Sequence, residues 1–256
     1  TGRNIFEIMI VDVSSPSSVR TAISNLNEPI DALIMNAGGM GGKNPEELTT
    51  DGVTSIFATN VLGHVIMVDE LLKAGKLKNV AMYASSEGVR GVKKMGIKRP
   101  ELSSYSVDEF ISIFDGSKFN SKTDEMLIYA YVKYAATLWM SAMARKHPSV
   151  RFITMSPGAT SGTEVMNDLP AVKKIMYKYV GFPILMPLLG MVHKLEKGAE
   201  RYVKAISDDS LVSGTFYASR DNMLTGPVVD QRSIFPDLGN ESYQENAFTA
   251  LKQVAV

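Results

Sequence analysis

Asp31-Ala32-Leu33-Ile34-Met35-Asn36-Ala37-Gly38-Gly39 is the stretch on which the reading of the fold turns. Ala32 to Met35 are apolar without polar alternation, and the run ends in glycines. A strand with one wet face alternates; one that does not is covered on both faces, as in parallel sheets. Outward from it the chain alternates strand and helix. Ile5 to Val11 is a branched apolar run ending at Asp12, which reads as a strand. Ser14-Ser15-Pro16 then supplies a cap and an opening proline for a helix to about Leu26. Past the glycines, a long helix is expected from about Val53 to Lys73 and a strand from Asn79 to Ala84. The polar stretch from Ser86 to about Lys122, broken by Gly88, Gly91, Gly96 and Pro100, reads as an excursion from the core. Within it, Val107 to Phe114 forms a short helix. Helical spacing resumes from Asp124 to Lys146, with Met126, Tyr129, Ala130, Tyr134 and Leu138 on its apolar positions and Pro148 beyond its end. Val150 to Met155 is a strand closed by Ser156-Pro157-Gly158, Glu196 to Ile206 a helix, and Gly214 to Ala218 a last strand.

Strands alternating with helices of ten or more residues imply right-handed crossovers, hence an α/β, doubly wound parallel sheet with helices on both faces. In such sheets ligands sit beyond the carboxyl ends of the strands. The residues to weigh are therefore Asp12, Asn36 to Gly39, Ser85 and Ser86, and Pro157 to Thr163.

Composition narrows the partners. The chain has 256 residues, 45% of them hydrophobic, with 27 basic and 27 acidic side chains and no cysteine. That is enough apolar material for a buried core, in one large α/β domain or two small ones. The balanced charge, without blocks of one sign, lacks the footprint of a nucleic-acid binder and leaves small molecules and proteins. Without cysteine there is no disulfide, thiolate metal site or cysteine nucleophile, which suits a reducing, cytoplasmic setting. His64, His147 and His193 show no metal-ligand spacing, so no metal is expected. The longest uncharged apolar run, Val180 to Val192, is too short for a membrane span and contains Pro183 and Pro187.

Tyr129 and Lys133 are four apart on an expected helix and so share a face. An ammonium beside a phenol favours the phenolate and lowers its pKa, which suits general acid-base work near neutral pH. Alone the pair is a short pattern that chance also produces. Its company raises its weight: a serine pair ends the preceding strand, Asn60 lies within a helix, and a glycine-rich turn follows an earlier strand.

In this order the residues resemble the short-chain dehydrogenase/reductase family over nearly the whole chain. Asp12-Val13 matches its adenine-side aspartate, and Asn36-Ala37-Gly38 its fourth strand end. Thr50-Asp51-Gly52 through Thr59-Asn60-Val61-Leu62-Gly63-His64 looks like the retinol dehydrogenase and light-dependent protochlorophyllide reductase branch, although the cysteines used in the latter are absent. The resemblance implies a Rossmann-like fold, NAD or NADP as cofactor, and hydride transfer between nicotinamide and an apolar carbonyl or alcohol. It implies catalytic roles for Tyr129 as proton donor or acceptor, Lys133 as its electrostatic partner and ribose holder, Ser85 or alternatively Ser86 at the substrate carbonyl, and Asn60 holding a relay water. Cofactor contacts would come from Asp12, Val13, Asn36, Ala37, Gly38, Tyr129, Lys133, Pro157, Gly158 and Thr160 or Thr163. Residues 86–122 would form an insertion near the substrate mouth and about 164–195 a lid. A homodimer or homotetramer is implied.

The front departs from this pattern. The first two strands and the glycine-rich turn that cradles a pyrophosphate are not found in the sequence. Gly38-Gly39-Met40-Gly41-Gly42 follows the fourth-strand position and opens no immediate helix. The expectation is an N-terminally truncated reductase, with Ile5 to Val11 able to pair beside Ala32 to Met35. The competing expectation is a catalytically silent binding or scaffold protein that keeps the fold.

Overall fold

The computed structural model describes residues 6–42, 44–161 and 191–255. Five strands lie in sequence order across one sheet: β1 (Ile30–Met35), β2 (Leu77–Ala84), β3 (Arg151–Met155), β4 (Thr215–Ser219) and β5 (Val228–Asp230). The first four are parallel, in a register that sets Met35 beside Tyr83, Tyr83 beside Thr154 and Met155 beside Tyr217. The fold is thus α/β and Rossmann-like, with β5 added antiparallel on β4.

Local chemistry explains the helices. Ser15 caps α1 (Pro16–Asn25) by accepting from the Ser18 amide, with Pro16 in the first turn. Asp124 caps α4 (Glu125–Lys146) through the Leu127 amide, and Ser106 caps α3 (Val107–Phe114) through the Glu109 amide. The helix α2 (Ser55–Lys73) is the one described helix long and apolar enough to cross a membrane, and it lies in the core. There α2, α3, α4 and α6 (Glu241–Val254) enclose Phe57, Tyr83, Phe110, Trp139 and Phe152 in one apolar cluster. The opposite face of the sheet is covered by α5 (Leu195–Ser207), which joins Ala205 to Val80, Met82, Ile153 and Met155.

Three expectations are corrected. Residues 6–11 form no strand: they pair with nothing in the sheet, and Phe6, Ile8 and Ile10 are 77%, 84% and 88% exposed. The apolar run reads as a strand, but a strand exists only where a neighbour accepts its hydrogen bonds, and among the described residues β1 pairs on its β2 side alone. Thr215–Ser219 is not the last strand, since β5 and then α6 follow; Asn240 caps α6 with bonds from the Ser242 and Tyr243 amides. Only the start of the excursion after Ser86 stays at the sheet's carboxyl edge, where Glu87 bonds Ser156 and Ser219 and Arg90 donates to the Ser219 carbonyl. Its helix α3 buries Phe110, Ile113 and Phe114 against α4 and α6 instead.

The helix α2 meets the N-terminal segment at Gly63, where a Cβ would stand 1.9 Å from the Val13 carbonyl oxygen. Backbone cannot yield as a side chain would, so Gly63→Ala is expected to cost more than about 2 kcal/mol by overpacking. A urea unfolding midpoint unchanged from the parent would refute that close approach.

Candidate active site

The carboxyl ends of β1, β2 and β3 open into a cleft of about 630 Å³. Its walls are Asn36, Gly38 and Gly39 after β1, Ser85, Ser86 and Glu87 after β2, Tyr129 and Lys133 from α4, and Ser156 to Thr160 after β3. Met126, Leu195, Ala199 and Tyr202 give it an apolar flank. Residues drawn from strand ends and two helices thus meet at one place, as the open parallel sheet leads one to expect.

The turn after β1 is held from behind. Within α2 the turn Ala58–Leu62 widens to a π-helix, a device often found where a helix serves a site. Asn60 sits in it, fully buried. Its Oδ1 accepts from the Gly39 amide at 3.1 Å, and its Nδ2 donates to the Gly39 and Ile56 carbonyls, each at 2.8 Å. Gly38 passes so near that a Cβ there would lie 2.4 Å from Asn60 Oδ1. The Asn60 carbonyl accepts from the Tyr83 hydroxyl at 3.0 Å. Asn60 is expected from resemblance to hold a relay water; here its side chain is committed to shaping the Gly38-Gly39 turn, and it lies behind the cleft.

His64, one turn on, bonds through Nε2 to the Ala37 carbonyl at 2.7 Å, and its Nδ1 is buried without a partner. Burial lowers its pKa to about 4, against the raising effect of the Ala37 bond, and Lys133 lowers it further. The imidazole is therefore neutral, with Nε2 donating. Between pH 6.5 and about 4 the unfolded chain binds a proton that the folded one refuses, so stability falls as pH falls through that window. The loss should total on the order of 3 kcal/mol. The difference in stability between the parent and His64→Gln should carry this slope; a pH-independent difference would exclude it.

The two serines differ in what their hydroxyls can still do. Thr137 Oγ1 donates to the Lys133 carbonyl at 2.8 Å, so in the 2.9 Å contact between Ser85 and Thr137 it is Ser85 that donates. Ser85 is 3% exposed and its one proton is committed. Ser86 is half-buried and accepts from the Gly88 amide at 3.1 Å, which leaves its O–H to donate into the cleft.

Lys133 is buried and donates to the Ala84 carbonyl at 3.0 Å. Burial lowers its pKa to about 7. Its Nζ lies 5.5 Å from the centre of the Tyr129 ring. The phenol of Tyr129 is pushed up, first by burial and then by the Glu87 carboxylate. This corrects the expectation of a lowered phenol: the ammonium faces the ring, desolvation dominates, and Tyr129 is a protonated donor at neutral pH.

Glu87 is a site residue the sequence reading passed over. It is buried, with Oε1 taking Ser219 Oγ at 3.0 Å and Arg201 Nη1 at 3.5 Å, and Oε2 taking the Ser156 hydroxyl. Arg201, from α5, also donates to the Ser156 and Gly226 carbonyls. The only signal in the sequence was an acid directly after the serine pair.

Of the expected cofactor contacts, Asn36, Gly38, Tyr129, Lys133, Pro157, Gly158 and Thr160 line the cleft. Ala37 faces His64 through its carbonyl. Asp12 and Val13 are not brought to the cleft: Asp12 is exposed and folds back onto Ser14, and the Val13 carbonyl abuts Gly63. Thr163, and all but residues 191–195 of the expected lid, lie outside the described residues. Among the described residues no group of three or more metal-ligating side chains occurs.

Comparisons with known proteins agree with this layout. A family model described as short chain dehydrogenase matches residues 3–96. Dehydrogenase/reductase SDR family member 12 of Bos taurus is 30% identical over 171 residues, covering 66% of this chain and 48% of the relative. Short-chain dehydrogenase TIC 32 A, chloroplastic, of Brassica napus is 36% identical over 139 residues, covering 53% and 40%. The chain thus spans less than half the length of these curated relatives. Among solved structures, an uncharacterized protein from Mycobacterium paratuberculosis aligns with a TM-score of 0.64 at 20% identity, over 96% of this chain and 74% of that one. A short chain dehydrogenase from Burkholderia cenocepacia in complex with NADP aligns with a TM-score of 0.53 at 17% identity, over 84% and 75%. At those identities the structures speak for the fold alone. The family model, the relatives and the fold thus agree in likening the chain to the short-chain dehydrogenase/reductase family.

Proposed function

We propose that this chain carries the proton-transfer centre of a nicotinamide-dependent oxidoreductase that reduces a carbonyl on a small, apolar molecule. The observation that carries this reading is the convergence of Ser86, Tyr129 and Lys133 on one cleft at the strand ends. A protonated Tyr129 donates its hydroxyl proton to the oxygen that becomes an alcohol, and Ser86 O–H steadies that oxygen as charge develops on it. The ammonium of Lys133 makes the resulting phenolate less costly, and Met126, Leu195 and Tyr202 favour an apolar substrate body.

The nicotinamide end of NAD or NADP suits the residues present: Lys133 offers a buried donor at the cleft, and Asn36 and the Pro157-Gly158 turn form its walls. When bound, the cofactor supplies the hydride; the protein's part is to bind, orient and move the proton. No comparable cradle for the pyrophosphate occurs among the described residues, and Asp12 is turned away from the cleft.

Incubating the chain with reduced nicotinamide cofactor and a panel of aldehydes and ketones tests the reading through loss of the reduced cofactor's absorbance. Turnover supports it. Absence of both turnover and cofactor binding favours the silent scaffold. Within the active protein, Ser86→Ala should lower kcat by about 10²-fold, as for loss of one oxyanion donor, and Ser85→Ala should leave it within a few-fold. The reverse order would return the role to Ser85.

A further inference from the structure

We propose that Tyr83, a buried phenol on β2, is a positioning residue whose ring face holds Lys133 as a cation while its hydroxyl fixes Asn60. Its importance for turnover rests on the oxidoreductase reading; its action on Lys133 does not. Tyr83 is fully buried in β2, between Met35 and Thr154. Lys133 Nζ stands 4.8 Å from the centre of its ring, nearer than the 5.5 Å to the Tyr129 ring. Its hydroxyl donates to the Asn60 carbonyl at 3.0 Å, within the π-helical turn. One side chain therefore touches both the lysine of the Tyr129 pair and the asparagine that shapes the Gly38-Gly39 turn.

The need for such a partner is electrostatic. None of the ion pairs among the described residues involves Lys133. It donates its hydrogen bond to a neutral carbonyl, that of Ala84. A buried ammonium without a carboxylate tends to lose its proton, and burial does pull Lys133 toward neutrality. What opposes that is the negative face of an aromatic ring, an attraction that grows as water is excluded. The groups facing Lys133 are few. Tyr83 faces it from β2 and Tyr129 from its own helix, and His64 in α2 is held neutral by burial, with Lys133 acting on it. Glu87, after β2, acts on Tyr129 and is itself neutralised by Arg201. His64 meets the Tyr83 ring edge-on at 6.1 Å, which fixes the ring's plane under the ammonium.

The test is the titration of Lys133 itself, followed by NMR of 13C-labelled lysine side chains in the full chain. Tyr83→Phe removes the hydroxyl and keeps the ring face; its Lys133 midpoint is expected close to that of the parent. Replacing that phenylalanine by its trifluoro and pentafluoro analogues keeps shape and burial while stripping negative charge from the face. The midpoint should then fall in step with fluorine content, by about one pH unit at the pentafluoro ring. A structural filler of the core would show one midpoint across the series, and that result would overturn the proposal. The titration needs no turnover, so an inactive protein with a graded midpoint would refute the oxidoreductase reading and leave this one standing.

Discussion

Tyr129→Phe is expected to lower kcat for carbonyl reduction by roughly 10²–10⁴-fold, the usual contribution of a positioned general acid, with cofactor affinity little changed. The reason lies in what the phenol alone can do. Tyr129 is half-buried at the cleft and protonated at neutral pH, and phenylalanine fills the same space without the proton. Ser86 can polarise a carbonyl but is a far weaker acid than a phenol, and Lys133 is turned to the Ala84 carbonyl. The residual rate should therefore come from orientation and from Ser86. The pH profile adds a second readout. A group that must be protonated gives an alkaline limb; loss of the Lys133 cation should give one that both proteins share, and the raised Tyr129 phenol a second, higher one that the variant lacks. Stopped-flow or steady-state loss of the reduced cofactor reads both. If the variant keeps a rate within a few-fold of the parent, the proton comes from elsewhere, and Tyr129 loses its role.

Much of this was legible in local chemistry, and the exceptions share a physical cause. Ser15-Pro16 and Asp124 mark helix starts through bonds made within three residues, so the sequence read them correctly. The apolar runs at 32–35, 79–84 and 150–155 became strands because each finds a neighbour. Residues 6–11 have the same composition and no neighbour, and composition cannot tell the two cases apart. The spacing of Tyr129 and Lys133 fixes a shared helical face but not what else the face meets. Desolvation therefore reversed the expected direction for Tyr129. Nothing in Ala58-Thr59-Asn60-Val61-Leu62 announces a π-turn, which answers to the packing of Asn60 against Gly39. Glu87 and Arg201 are 114 residues apart, and only the assembled sheet makes them a pair.

That pair supports the second large effect. Arg201→Met is expected to destabilise the protein by about 3–5 kcal/mol, because it leaves the Glu87 carboxylate buried with its cation gone. Arg201 and Glu87 side chains are 8% and 6% exposed, so water cannot replace what is lost. The damage should fall first on the cleft. Arg201 is the residue through which α5 grips the Ser156 carbonyl, Ser219 and the Gly226 carbonyl, and the same helix brings Leu195, Ala199 and Tyr202 to the cleft wall. Glu87→Gln alone should cost less, since an amide keeps an acceptor for Ser219 and the Arg201 guanidinium left without its anion still donates to the Ser156 and Gly226 carbonyls. Combined with Arg201→Met it should recover a good part of the loss, because the double variant buries no unpaired charge. In thermal unfolding the single arginine variant should melt on the order of 10 °C below the parent, with the double variant between them. Simple additivity of the two losses would mean that Arg201 acts through its carbonyl contacts alone. The sign of the coupling therefore separates an electrostatic strut beneath the cleft from a set of independent hydrogen bonds.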